Sequence, residues 1–386
     1  MKSLLISKVF PPETGGSGRW FWEIYRRLPK EEYAIIAGDH PNAADFDQSH
    51  DLQLHRIPLT FPDWGYFSWN GYQQYKSAVK EITNCLPLSE FNCIHAGSLL
   101  PDGWVARLLA KKFQLPLIVY MHGEETCYAN SSRQLRWMSE RILKDADCVV
   151  ANSFNTERIL RENWSLPADK INVLHPGVDC EQLVPAQRDD QIRDRYGWKG
   201  RKVILTVGRL QERKGQDILI QALPTLVRSF PEVIYAIVGD GADFERLNHL
   251  VQELSLQEYI QFFRDFNDEQ IRDCYQQCDL FVLPNRQVGE DIEGFGMVLL
   301  EAQACGKGVI AGNSGGTSET MKVGETGHLV DCDTPDALCE LIVSSLQDEE
   351  TLKAMGQQGR DWVLEKFDWH KLSLEAKSLF EQTRRH

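Results

Sequence analysis

The chain has 386 residues, with 42 Lys and Arg against 56 Asp and Glu, and a formal net charge of −14. That acid excess argues against a general nucleic-acid binder, whose phosphate contacts need a clustered cationic surface. With 42% hydrophobic residues the chain can bury a core in each of about two domains, which argues against disorder. The longest apolar runs, such as 115–121 and 203–207, are strand-sized and far below the roughly 18 residues of a membrane span. The opening Met1-Lys2-Ser3-Leu4-Leu5-Ile6-Ser7 is too short in apolar residues for a signal peptide and reads as a first strand. Ten cysteines are scattered singly, the closest pair being Cys274 and Cys278, with no zinc-ligand spacing; a reducing cytosol suits them. The acidity is uneven: residues 1–185 carry 19 basic and 22 acidic side chains, residues 186–386 carry 23 and 34.

Short apolar runs at 4–9, 34–37, 93–95, 117–121, 148–151 and 171–174 alternate with segments of helical periodicity, the pattern of βα units feeding a parallel sheet. The pattern stops at His175-Pro176-Gly177 and restarts with runs at 203–207, 233–238, 259–263, 280–283, 308–311 and 328–330. Two such series predict two doubly wound, Rossmann-like α/β domains facing across a cleft. The expected boundaries are 1–180, a linker 181–200, a second domain 201–366, and a C-terminal helix within 367–386 (369–385) that crosses back to the first.

Three segments point to chemistry. Pro11-Pro12-Glu13-Thr14-Gly15-Gly16-Ser17-Gly18-Arg19 follows the first strand and precedes a helix, where glycines let backbone N–H groups approach a phosphate. It is neither GxGxxG nor a Walker loop, and a flexible turn is an equal reading. In Thr206-Val207-Gly208-Arg209-Leu210-Gln211-Glu212-Arg213-Lys214-Gly215 a strand ends, a glycine turns the chain, and Arg209 and Lys214 follow. Arg can fork onto two phosphate oxygens while Lys acts as a point charge, a combination suited to a diphosphate. The plainer alternative is a solvated basic loop. The third segment, 290–302, places Gly294-Phe295-Gly296 before an apolar run, with Glu293 just ahead of the helix and Glu301 about two turns in. Carboxylates there can accept hydrogen bonds from vicinal sugar hydroxyls while the helix end faces a phosphate.

These motifs, with Gly315-Gly316-x-x-Glu319, occur in the order found in the retaining GT-B glycosyltransferases of the group 1 family, which the chain resembles over nearly its whole length. The second half is similar to bacterial phosphatidylinositol mannosyltransferases. Gly308 stands where those have Pro, and Thr317-Ser318 where they have x-Pro. The resemblance implies that Arg209 and Lys214 hold the donor diphosphate and that Glu301 binds the ribose. Glu293 with the N–H groups of Gly294, Phe295 and Gly296 would grip the transferred sugar. Gly16, next to Gly15, would close the phosphate site, and His122 would face the anomeric carbon. The family's base site falls near Gly239-Asp240-Gly241 and residues 264–268. Asp268 there is either a guanine acceptor, favouring GDP-mannose over a UDP-sugar, or a first-turn acid of the next helix.

The expected activity is metal-independent transfer of a hexose, with retention, from a nucleotide diphosphate sugar to a glycan, lipid or small-molecule hydroxyl. No cofactor is expected beyond that donor substrate. Asp331-Cys332-Asp333 reads as a helix cap rather than a metal anchor. An epimerase using His122 with Glu124 and Glu125, and a non-catalytic nucleotide-sugar sensor, are the alternatives. The expected location is the cytoplasm. The aromatic and basic stretches at 19–27 and 61–69 leave peripheral contact with the inner face of the membrane open, with Arg19, Arg26, Arg27 and Lys30 as its cationic part.

Overall fold

Runs such as Leu4-Leu5-Ile6 bury every side chain, as a strand covered on both faces requires, and the intervening helices supply that cover. The computed structural model describes residues 2–13 and 15–383. In the first half the strands are β1 (Lys2–Ser7), β2 (Tyr33–Gly38), β3 (Leu54–Ile57), β4 (Phe91–Ala96), β5 (Leu117–Met121), β6 (Cys148–Ala151) and β7 (Ile171–Val173). They pair in parallel in the order β3-β2-β1-β4-β5-β6-β7, with Leu4 between Ala34 and Ile94. The sequence reading has no strand at β3, because His55 and Arg56 interrupt its apolar run. It lies at the sheet edge, where a half-polar strand is tolerated.

The second half repeats the plan with β8 (Lys202–Val207), β9 (Val233–Val238), β10 (Ile260–Phe263), β11 (Leu280–Leu283), β12 (Val309–Gly312) and β13 (His328–Val330). Their order is β10-β9-β8-β11-β12-β13, again parallel. In each sheet the order reverses beside the first strand of its series, between β1 and β4 and between β8 and β11. The crevice outside the strands' carboxyl ends at such a point is where open α/β sheets bind ligands.

The chain divides into one unit ending at Pro176 and resuming at Trp369, and a second spanning Gly177–Asp368. The stretch 181–200, expected as a linker, is instead folded into the second unit. Trp198 is fully buried and donates Nε1–H to Gln261 at 2.7 Å, and buried Arg193 pairs with Asp279 at 3.1 Å. Its polar composition hides these two anchors. The last helix, Trp369–Thr383, packs within the first unit, where the Phe380 ring lies 4.5 Å from His95 and 6.0 Å from Tyr25. Arg385, its expected end, lies outside the described residues.

The basic stretch at the first helix, Gly16–Tyr25, differs from expectation. Buried Glu23 pairs with both Arg26 and Arg27, and Lys30 pairs with Asp51, so these cations are held by acidic partners. Trp20, Phe21 and Tyr25 are core residues. In the loop 61–69, Phe61 is buried, whereas Phe67 and Trp69 are 67% and 77% exposed.

Candidate active site

In the second unit, Gly208 and Gly239 follow the adjacent strands β8 and β9. Gly208 N–H donates to Val238 O and Gly239 N–H to Phe263 O, both at 2.9 Å. The Lys214 side chain lies against the bare Gly208 backbone, with Cε and Nζ each 3.9 Å from where a Cβ would stand. Its ammonium donates to Glu293 Oε2 at 2.5 Å. Arg213 reaches the same oxygen with Nη1 at 2.8 Å and sends Nε to Asp291 Oδ1 at 3.1 Å.

Lys214, Arg213 and Glu293 are all buried, so two cations share one carboxylate in a site of low polarity. For Glu293, burial pushes the carboxyl up, but Lys214 and Arg213 together outweigh it and hold the group below its usual range. For Lys214, burial and the nearby charges of Arg213 and Arg209 lower the pKa against the pull of Glu293. Asp291 balances the second charge of this group, and exposed Arg209 adds the further positive charge that a bound anion would relieve. Both contacts fall on Oε2, leaving Glu293 Oε1 without a protein partner among the described residues. Arg209 is exposed, and its side chain has no partner among them either.

The loop carrying these cations is pinned from behind. Arg286 N–H donates to Arg213 O at 2.9 Å, and the Arg286 guanidinium forks onto Asp217 at 2.7 and 2.9 Å. Asp217, in the first turn of the helix Gln216–Ser229, also accepts from Arg246 at 3.1 Å.

Glu293 is fixed through its backbone as well. Gly316 N–H donates to Glu293 O at 2.9 Å, and a Cβ on Gly315, whose φ is +66°, would stand 1.9 Å from that oxygen. Only glycine allows this approach, which gives the Gly315-Gly316 motif its physical reason. Ser318 stands where the family has Pro, and Thr317 before it donates Oγ1–H to Gly312 O at 2.8 Å, tying the loop with a hydroxyl. The helix Met297–Ala304 then starts with Gly296 as its N-cap and no side-chain cap bond, while Phe295 is buried. Glu301, at a place expected to be apolar or solvated, is buried and accepts from Tyr275 OH at 2.6 Å.

Asp268 is exposed in the first turn of the helix Asp268–Gln277, whose N-cap Asn267 forms a capping box with Gln270. Asp240, beside Gly239, forms a bidentate pair with Arg264 at 2.7 and 3.1 Å, and that guanidinium lies 4.2 Å over the Phe244 ring. Asp331 is not a helix cap. It closes a turn by accepting from Asp333 N–H at 2.9 Å, and Thr334 is the N-cap of the helix Pro335–Gln347.

Gly15, Gly16 and His122 belong to the first unit. Gly15 is the N-cap of the helix Gly16–Tyr25, which has no side-chain cap bond, and Thr14 lies outside the described residues. His122 follows β5, its Nε2 lies 2.7 Å from Gly97 O, and its ring meets the edges of Trp20 and Phe21 at 5.6 and 5.8 Å. Glu125 is buried with both carboxylate oxygens spent on backbone N–H groups, which removes it as the acid or base of an epimerase.

Lys214 and Glu293 are thus in direct contact, and Arg209 acts on Lys214 through its charge. Three residues that hold the candidates in place escape the sequence reading as such. Arg213 is visible there only as part of a basic cluster, and Glu125 follows His122 by the three residues of a capping pattern. Tyr275 gives no sequence signal.

Comparison with known proteins agrees with this arrangement. Residues 188–362 match the family of group 1 glycosyl transferases and residues 14–182 that of glycosyltransferase family 4. A GDP-mannose-dependent alpha-(1-6)-phosphatidylinositol monomannoside mannosyltransferase of Mycobacterium tuberculosis is 36% identical, over 96% of this chain and 95% of that one. Its counterpart in Mycolicibacterium smegmatis is 30% identical over 95% and 94%. Among solved structures, Anabaena HepE in complex with UDP and glucose superposes with a TM-score of 0.83, at 20% identity and 99% coverage of both chains, a likeness of fold. The chain belongs to the group 1 glycosyltransferases and has their GT-B fold, two Rossmann-like domains of parallel sheet.

Proposed function

We propose that this glycosyltransferase moves mannose from GDP-mannose, with UDP-sugars as the next candidates, to a lipid-linked glycan, with retention of anomeric configuration and without a metal ion. The observation that carries the reading is the buried Arg213–Lys214–Glu293 group, in which both cations meet one carboxylate oxygen, with exposed Arg209 acting on Lys214 and an uncapped helix starting just after Glu293 in the chain. A diphosphate leaving group supplies a negative partner for Arg209 and Lys214. Lys214 and Arg209 stabilise it as the C1–O bond breaks. Glu293 Oε1 accepts a hydroxyl of the transferred sugar, and Glu301 accepts from the ribose. The acceptor oxygen attacks C1 on the face the phosphate leaves, and its proton passes to a phosphate oxygen, so no protein nucleophile is required. Local cations do the neutralising that a metal would otherwise supply, and full turnover in EDTA is expected. Gly15, Gly16, Gly239 and His122 take the donor-binding roles of the family pattern, and Asp268 is assigned to the base.

The choice of GDP-mannose and of a lipid-linked acceptor is supported by the relatives at 30% and 36% identity. Exposed Phe67 and Trp69 support a peripheral contact with the inner face of the membrane, and no helix among the described residues is long and apolar enough to cross it. The test is a thermal-shift panel of GDP-, UDP- and ADP-sugars, followed by anomeric NMR of the product formed from the winning donor. GDP-mannose should give the largest shift and an α product. No shift from any nucleotide would refute the donor, and inversion would refute the same-face displacement.

A further inference from the structure

We propose that Glu125 is the positioning residue for His122, holding its backbone so that the imidazole, kept as the Nε2–H tautomer by Gly97 O, presents Nδ1 to a substrate hydroxyl. The substrate part of this rests on the function proposed above. Glu125 opens the short helix Glu125–Asn130, and its side chain folds back over the turn that leaves β5. Oε1 accepts from His122 N–H and Oε2 from Gly123 N–H, each at 2.8 Å. The residue is 1% exposed, so neither bond competes with water. Burial, helped by the neighbouring charge of Glu124, raises its pKa overall, although His122 and the backbone N–H groups of His122 and Glu125 oppose part of that rise.

The other handles of His122 are also taken. Asn152 Nδ2–H donates to His122 O at 2.9 Å, and Asn152 Oδ1 is itself held by Thr156 Oγ1–H at 2.7 Å. Gly97 O, 2.7 Å from Nε2, can only accept, so the proton of the neutral ring sits on Nε2. Trp20 and Phe21 bound the ring with their edges and fix its plane. What remains is Nδ1. Of the groups that fix this ring, Glu125 alone sets the direction of two consecutive backbone N–H groups, so it is the one whose change tilts the imidazole without removing any contact of the ring itself.

Glu125→Gln is the sharp perturbation, because a carboxamide keeps one acceptor and turns an N–H₂ donor onto the other backbone N–H. Long-range 1H–15N spectra, with His122 assigned by its loss in His122→Gln, read the tautomer. The wild type should show protonated Nε2 and bare Nδ1. Glu125→Gln should shift that signal and lower kcat about tenfold or more, while the Kd for the free nucleoside diphosphate stays within about twofold. Should Glu125→Gln fold poorly, Glu125→Asp, too short to reach both N–H groups, serves in the same two measurements. A wild-type Nδ1–H tautomer, or an unmoved His122 signal in a folded variant whatever its kcat, overturns the proposal. Absence of sugar transfer by the wild type would overturn the function proposed above, whereas the response of the His122 signal to the Glu125 variants decides the role of Glu125 without any turnover.

Discussion

Glu293→Gln tests the energetic core of the site. In the wild type one buried carboxylate serves Lys214 at 2.5 Å and Arg213 at 2.8 Å. Removing its charge leaves two buried cations facing each other, a change that costs roughly 3–5 kcal/mol when one partner of a buried pair is lost. The lower end applies, because Arg213 keeps Asp291 and Lys214, already lowered by burial, can release its proton. About 3 kcal/mol corresponds to a fall in Tm of about 6–12 °C for a unit of this size. The pH dependence has a fixed sign. Glu293 is held below its unfolded pKa, so its contribution is full above about 4.3 and is lost as pH falls through the depressed value. In the variant Lys214 drops further, so stability should recover as pH rises through the lysine's lowered pKa toward the unfolded value near 10.4. Differential scanning calorimetry from pH 3 to pH 10, with and without nucleoside diphosphate, is the assay. The variant should gain more than the wild type from the anion, which replaces the missing charge, while sugar transfer is lost. A variant as stable as the wild type at pH 7, with the same gain on adding nucleotide, would refute the reasoning.

Gly315→Ala should cost about 2 kcal/mol or more, since its Cβ would stand 1.9 Å from Glu293 O at a left-handed φ, and should lower kcat more than it weakens nucleotide binding. Equal effects on both would disconnect that loop from the sugar. Glu301→Ala is expected to weaken nucleoside diphosphate binding, and Lys214→Ala mainly to lower turnover. Calorimetric Kd values beside steady-state kcat separate the two, and unchanged values in both variants would remove the assigned roles. Asp102, which is buried after β4, has its carboxyl pushed up to about 6 by burial, so the folded state holds the proton more tightly than the unfolded chain. Stability should therefore fall by about 3 kcal/mol as pH rises from about 4 to 6, and urea titrations of Asp102→Asn should show that slope gone.

Much of the fold was legible because parallel strands covered on both faces leave unbroken apolar runs, and β3, with its central His55 and Arg56, was hidden by the same rule. The motifs were legible where glycine is demanded by contact, as at Gly315 against Glu293. Pairing was not. Nothing local shows that Glu293 would be shared by Lys214 and Arg213, some 80 positions earlier, or that Glu301 would meet Tyr275 across two helices. The cations at 26, 27 and 30 read as a free patch because their acidic partners, Glu23 and Asp51, are ordinary residues until the chain brings them close. Arg193 and Trp198 were lost in polar surroundings for a similar reason, since one buried anchor does not alter composition.

The last helix bears on the order in which the protein is made. Residues 177–368 form one contiguous stretch, whereas the first unit lacks Trp369–Thr383 until the whole second unit has been synthesised. A ribosome therefore releases every part of the later unit before the earlier one has its final segment. Until Phe380 arrives, Tyr25, Tyr33 and His95 present an aromatic surface without its cover. Translation that stops between Asp368 and Trp369 would leave the second unit whole and damage the half of the protein that was made first.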